Sequence, residues 1–546
     1  MYLQQTIEIS DLPTFHDVVS SRPGLVQKPR NWTYPYSVEQ TRMNTDPYVR
    51  KLLKTSDTEM YKHIRGKTKR ASLAAAYTAL AKYGFPEKRK AVMSPSFKAS
   101  YERAKQLAKI VFTPHEPIHR RSVANVCDTM NLDSSAGFSF PGKTKKECVE
   151  EAYDVSSYMA HFIAAGKNVF IPPCKLALRG HLSDESDPKT RPVWVYPFEI
   201  SILEGKWAMP YYEYLEAQVP EIHFGDKSMQ RLAKHLMGGL NTHDEASEVT
   251  FDWSAFDASV PGYLIDDAFD IIKNSFDEEF TDHDDTAVCG GPKMAQKNEA
   301  VFEFLRRYFK FTKIMLPDGS VYAKCHGIPS GSFFTQCVGT IVNYILVRTL
   351  DDYFKLGGRN FRFLGDDSTF QIPLGAYHRR VNIPQITEAA WRNFGMQLKE
   401  EKVRIAIKQS ERKFLGYQVM GYRYVRSDTE WFEMALYPER DVEFLEQSAS
   451  RVLAFYVLGG CNSERYSAFF RTFIGCYPQI QNVESLPLTK AMKRMFRFVF
   501  RIPVDLIQFP DFSEMEIQNV PYVLSFGDEL FGHRSDDKKS LKLYKN

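Results

Sequence analysis

Glu248–Val260 reads EVTFDWSAFDASV, and the fold is decided here. Val249, Phe251 and Trp253 alternate with polar residues, the period-two signature of a half-buried strand, which leaves Asp252 at the strand's end. Pro261, with Ser259 just before it, then opens a helix carrying Leu264, Ile265, Ala268, Phe269 and Ile272 at helical spacing. A carboxylate where a strand gives way to a helix stands at an open sheet edge, free to bind an ion. Asp257 follows one turn later, close enough to face the same place. Taken alone, such a pair of aspartates more often marks a capped turn.

Two further stretches give the pair its meaning. Asn360–Ile372, NFRFLGDDSTFQI, alternates on either side of Gly-Asp-Asp-Ser, which predicts a β-hairpin with a four-residue turn and two adjacent carboxylates at its tip. Side-by-side anions repel, a structural turn has no need of them, and a divalent cation would resolve the conflict. Gly327–Val347, GIPSGSFFTQCVGTIVNYILV, is a glycine- and proline-rich loop followed by a helix. Phe334, Val338, Ile341, Val342 and Ile345 form its apolar stripe, while Thr335, Gly339 and Asn343 share another face at i, i+4 and i+8. That polar face points toward a site or, on the bland reading, belongs to an ordinary buried helix with a satisfied Asn.

In this order, Asp252 with Asp257, then Ser330-Gly331 with Thr335 and Asn343, then Gly365-Asp366-Asp367, the three stretches resemble the palm signature of viral RNA-dependent RNA polymerases. Partitivirus polymerases are the nearest match and picobirnavirus polymerases a looser second. Leu178–Ile200 is similar to the family's basic fingers motif, Ser134–Phe140 (SSAGFSF) to its template-guiding loop, and Glu411–Tyr417 (ERKFLGY) to the element that ends the palm. The resemblance covers about residues 130–420.

It implies an α+β right-hand fold of fingers, palm and thumb, the palm a central antiparallel sheet flanked by helices, with mostly helical fingers and thumb. Residues 1–70 are expected to form an extended arm bridging fingers and thumb. Fingers would occupy 71–244 with an insertion at 276–322, palm 245–275 and 323–430, thumb 431–533, and a mobile basic tail 534–546. The resemblance assigns two Mg²⁺ ions, which Mn²⁺ can replace, to Asp252 and Asp366, with Asp367 a weaker ligand. Asp257, directly or through Ser330 and Asn343, would sense the ribose 2′-hydroxyl, with Thr335 alongside. Arg179, Lys189 and Arg191 would bind the NTP, and Lys402 would protonate pyrophosphate, with Lys399 as rival and a solvated lysine an equal alternative for either. Ser135, Gly137 and Gly331 would contact RNA. Lys490, Arg494 and Arg497 recur at helical spacing, either an RNA-tracking face or a solvated one. Template and product RNA, NTPs and a viral capsid protein are the expected partners.

Composition bounds the rest. With 43% apolar and 25% charged residues, wholesale disorder is excluded. A net charge of +4 over 546 residues hides an asymmetry: Lys51–Arg121 holds 17 Lys and Arg against 5 Asp and Glu. That surplus suggests phosphate contact, or a solvated face. Eight scattered cysteines without a C-x-x-C pair fit reduced thiols. The N-terminal MYLQQTIEIS lacks signal-peptide character and no apolar run would span a membrane, so a cytosolic location is expected, and the resemblance implies the host cytoplasm and the virion interior. The absence of P-loop, dinucleotide-fold and H-E-x-x-H motifs argues against NTPase, dehydrogenase and metalloprotease readings. Reverse transcription, disfavoured by Asp257 and the Gly-Asp-Asp tip, and non-catalytic RNA binding are the rival functions.

Overall fold

The computed structural model describes residues 25–28, 34–38, 43–84, 92–223, 246–281, 292–373, 381–408, 411–420, 423–457 and 459–477. Among them two sheets dominate, built from β1 (Leu25–Lys28), β2 (Cys174–His181), β3 (Lys189–Val195), β4 (Ala246–Phe251), β5 (Lys313–Met315), β6 (Val321–Lys324), β7 (Arg359–Leu364), β8 (Asp367–Pro373) and β9 (Arg404–Ala406).

The first sheet has the order β7-β8-β4-β9, antiparallel throughout. The alternation read from Val249 and Phe251 holds, since both are buried in the main core. Ser368 pairs with Phe251 and Thr369 with Thr250, which lays the second hairpin strand along the strand that ends at Asp252. Phe251 and Phe361 both pack on Phe370, with ring centroids 5.5 and 5.1 Å apart. The helix Thr335–Phe354, buried almost without interruption from Cys337 to Val347, covers one face and packs against the helix Pro95–Phe112.

The hairpin is tighter than its sequence suggests. Leu364 pairs with Asp367, so the loop is Gly365-Asp366 alone and Asp367 already begins β8. Gly365 takes φ +59°, the left-handed backbone that the first position of a primed two-residue turn requires.

The second sheet has the order β1-β6-β5-β2-β3. Pro192 lies in β3, and β3 is an edge strand, where a residue without an N–H costs the ladder nothing. Tyr36 ties the N-terminal segment to the same sheet, donating from its hydroxyl to Met315 O at 2.8 Å and Leu176 O at 3.0 Å.

The segment expected to be an irregular arm is partly helical. Pro47–Ser56 and Thr58–Ile64 are helices that bury Val49, Leu52, Leu53, Met60 and Ile64 in a second core with Asp428–Leu436, Leu445–Val457 and Glu464–Cys476. Asp46 caps the first, accepting from Tyr48 N and Val49 N, each at 3.1 Å, while its other partners are Ser448 and Arg451. The dense charges of this stretch mask its helical period. Leu25–Lys28 and Tyr36 thus join one sheet while residues 46–64 join the second core. Cys127, Cys148, Cys174, Cys325, Cys337, Cys461 and Cys476 are free thiols. Among the described residues no helix is long and apolar enough to cross a membrane.

Candidate active site

The sheet's register brings the separate aspartates together. Extending the Ser368–Phe251 pairing by one residue sets Asp367 opposite Asp252, with Asp366 at the adjoining turn. The helix Thr335–Phe354 holds both pieces. Trp253 Nε1 donates to Asn343 Oδ1 at 2.9 Å, Asn343 Nδ2 donates to Gly365 O at 2.9 Å, and Gly365 N donates to Thr340 Oγ1 at 2.9 Å. Asn343 is fully buried, so both ends of its amide fix the strand end and the hairpin tip. In this geometry both ends of its side-chain amide are engaged within the protein.

Asp257 sits in the short helix Phe256–Ser259, entered through Ala255 in left-handed backbone (φ +47°). Its carboxylate accepts from Ser330 Oγ at 2.5 Å, and its carbonyl accepts from Ile328 N at 2.6 Å. Thr335 Oγ1 donates to Pro329 O at 2.7 Å and closes the same loop. Desolvation in the cleft pushes the Asp257 carboxyl up to about 6; the Ser330 bond opposes this, the charge of Asp366 adds to it, and Arg191 offsets it. Asp367 is likewise pushed up to about 6, first by desolvation, then by the charges of Asp366 and Asp252, with Arg191 opposing. Crowded anions facing one arginine make a place that favours added positive charge.

Lysines supply some of it. Lys399 Nζ lies 2.7 Å from Asp252 Oδ1 and Lys402 Nζ 3.5 Å from Asp252 Oδ2. Among the described residues no three acidic, His or Cys side chains converge as a ready-made metal site. The two ammonium groups stand beside Asp252, and the hard oxygen donors of Asp252, Asp366 and Asp367 are of the kind that suits Mg²⁺ or Mn²⁺.

Arg179 and Arg191 are directly paired across β2 and β3, as are His181 and Lys189. Arg191 and Lys189 are exposed, whereas Arg179 is drawn into an ion pair with Glu439 at 3.0 Å. Gly331 takes φ +145° and has no room for a Cβ, which would stand 1.9 Å from Trp194 O; this presses the loop onto β3. Gly137 takes φ +84° against Tyr196 O, and its N–H donates to Ser135 Oγ at 3.3 Å. Both are therefore fixed to the strand that carries Arg191. Lys490, Arg494 and Arg497 lie outside the described residues. Trp253 and Thr340 escaped the sequence reading, because nothing in a strand-end Trp or a helical Thr marks it as a clamp.

The family described as "Viral RNA-dependent RNA polymerase" matches residues 36–473. The RNA-directed RNA polymerase of Cryptosporidium parvum virus 1 (strain KSU-1) is 31% identical over 266 residues, 45% of this chain and 44% of that protein. The RNA-directed RNA polymerase of Atkinsonella hypoxylon virus (isolate 2H) is 22% identical over 383 residues, 63% of this chain and 55% of that protein. The chain thus spans about half the length of the curated relatives it matches. The crystal structure of an insertion-loop deletion mutant of a human picobirnavirus RNA-dependent RNA polymerase matches with a TM-score of 0.55 at 15% identity, over 94% of this chain and 96% of that one. The likeness shows the fold expected from the sequence.

Proposed function

Because this chain belongs to the viral RNA-dependent RNA polymerases, we propose that it copies an RNA template by transferring nucleoside monophosphate from NTPs to an RNA 3′-hydroxyl, replicating and transcribing a double-stranded RNA genome. The observation that carries the reading is the meeting of Asp252 with the Asp366–Asp367 hairpin, opposite Arg191. Phosphoryl transfer depends on positioning and charge neutralisation more than on covalent help from the protein.

Asp252, Asp366 and Asp367 would hold two Mg²⁺ ions, displacing Lys399 and Lys402 from Asp252. Such ions, when bound, acidify the 3′-hydroxyl and neutralise the leaving pyrophosphate. Arg191 and Lys189 receive the triphosphate, and Arg179 joins them on release from Glu439. Asp257, with Ser330 bonded to it, accepts from the ribose 2′-hydroxyl. Lys402, the more solvent-open of the two lysines, gives the proton to pyrophosphate. Ser135, Gly137 and Gly331 line the path of RNA. A capsid protein as partner, and host cytoplasm and virion as location, follow from the resemblance to viral polymerases.

The test incubates the full chain with single-stranded RNA, labelled UTP, all NTPs and Mg²⁺. Template-dependent product that disappears with Asp366→Asn and with Asp367→Asn is expected. A folded wild type giving no product on any RNA template would overturn the reading.

A further inference from the structure

We propose that Glu204 and Lys324 are positioning residues that clamp the two ends of the loop 327–334 and thereby set the Ser330–Asp257 pair for ribose selection. The proposal rests on the reading of that pair as the sugar contact.

Both residues are ionisable side chains in places that packing alone would fill with apolar ones, and burial pushes the Glu204 carboxyl up to about 8 and the Lys324 amine well below its usual range. Glu204 lies on the helix Phe198–Gln218, in the run ISILEGKWA, and is fully buried. Its Oε1 accepts from Ser332 Oγ at 2.7 Å and its Oε2 from Phe333 N at 2.8 Å. Lys324 ends β6 and is 1% exposed. Its Nζ donates to Gly327 O at 2.9 Å, to Lys310 O at 3.0 Å and to Phe309 O. Three N–H donors meet three carbonyls, so the ammonium is satisfied without a counter-ion. A buried charge is costly unless every bond it makes is well aligned. Here Lys324 grips the loop's first residue and Glu204 grips Ser332 and Phe333 near its end.

Between the two grips the loop has no slack. Gly327 N donates to Val260 O at 2.9 Å, Tyr83 Oη donates to Ile328 O at 2.7 Å, and Trp194 N donates to Ser330 O at 2.9 Å. Gly331 is pressed onto Trp194. A shift at either end therefore reaches Ser330, whose hydroxyl is bonded to Asp257. Telling one hydroxyl from a hydrogen depends on displacements well below 1 Å, so the clamp acts on sugar choice more strongly than on chemistry.

Glu204→Leu fills much of the same volume and removes both polar contacts, and Lys324→Met keeps the stem and removes all three donors. The experiment measures kcat/KM for NTP and for dNTP in single-nucleotide extension of a primed RNA template by the full chain with Mg²⁺. Asp257→Ala serves as reference. Each clamp variant is expected to lower the NTP-over-dNTP ratio about tenfold, chiefly through the KM for NTP, and Ser332→Ala is expected to lower it in the same direction. If a clamp variant fails to show native circular dichroism, Ser332→Ala carries the test. A ratio within twofold of wild type, with Asp257→Ala lowering it, overturns the clamp; equal losses for both sugars are that same result. A ratio that Asp257→Ala leaves unchanged overturns the sugar reading instead, and the clamp falls with it.

Discussion

Lys399 meets Asp252 twice: its backbone N–H donates to Asp252 O at 2.9 Å, and its Nζ lies 2.7 Å from Oδ1. The first bond anchors the lysine beside the carboxylate, while the second is an ion pair that a divalent cation would have to displace. Lys402 has only the longer approach, 3.5 Å, with a side chain 54% exposed. The two lysines should therefore differ in kind. Lys399→Met is expected to lower the Mg²⁺ concentration for half-maximal activity by about threefold, since the competing charge is gone. Lys402→Met should leave that concentration alone and lower kcat by roughly a hundredfold. Titrating Mg²⁺ against initial rate for both variants separates the roles, and reversed outcomes would exchange them.

Divalent binding should also register as stability. Asp252 and the Asp366–Asp367 hairpin are on different strands, and a cation between them crosslinks β4 to the hairpin in the folded state alone. Adding Mg²⁺ at about 100 times its Kd should stabilise the wild type by about 2.7 kcal/mol, a rise of several degrees in Tm. Asp252→Asn and Asp366→Asn should each abolish that rise. Thermal melts with Mg²⁺ and with chelator decide it, and an undiminished rise in both variants removes these carboxylates from the ligand set.

The crowding of Asp367 has a pH signature. Its carboxyl is pushed up to about 6, first by desolvation and then by Asp366 and Asp252, from an unfolded value of about 3.9. Between those values the folded chain binds more protons than the unfolded one, so this group makes the fold less stable as pH rises from about 4 to 6, and the penalty persists above. Asp367→Asn removes it. Without divalent ions, the variant should melt slightly above wild type at pH 7.5, the effect being small because Asp367 stands at an exposed strand end, and the difference should shrink toward pH 4. Melts at four pH values in chelator test the sign, and a gain that grows on acidification contradicts it.

How far the sequence carried the reading follows from what each signal measures. The alternation of Val249, Phe251 and Trp253 reports burial of one strand face, and that strand is where the period places it. The hairpin was legible for the same reason, although its turn is two residues, because a glycine in left-handed backbone closes it sooner than composition reveals. The helix Pro47–Ser56 falls inside the expected extended arm, because Arg50, Lys51 and Lys54 obscure the period of Val49, Leu52 and Leu53 in a short window. Leu445–Val457 forms a helix in the stretch expected to be thumb, followed by Gly459 at φ +125°. Glu204 carried a signal that went unused, a charge inside a run of apolar helix. Asn343 was legible as a polar residue facing a site, but its partners were not, because Trp253 and Gly365 reach it only through tertiary packing.

Asn343 therefore supports the sharpest structural prediction. Among the described residues it is the side chain bonded both to Trp253, next to Asp252, and to Gly365, next to Asp366. Asn343→Leu conserves volume but leaves Trp253 Nε1–H and Gly365 O facing an apolar group. Two buried groups without partners cost about 2–4 kcal/mol together, so the melt should fall by several degrees. Asn343→Asp retains the acceptor for Trp253 but turns an oxygen toward Gly365 O, so the hairpin tip loses its donor and gains a repulsion. If the amide holds the two aspartate-bearing pieces in register, both variants should lose activity at temperatures where they remain folded, and excess Mg²⁺ should restore Asn343→Asp less than Asn343→Leu, because the added charge lies behind the hairpin where it cannot act as a ligand. Rate measurements well below each variant's own melting point, across a range of Mg²⁺, make the comparison; full activity in a folded Asn343→Leu protein would show that Thr340 and the strand ladder hold the hairpin without it.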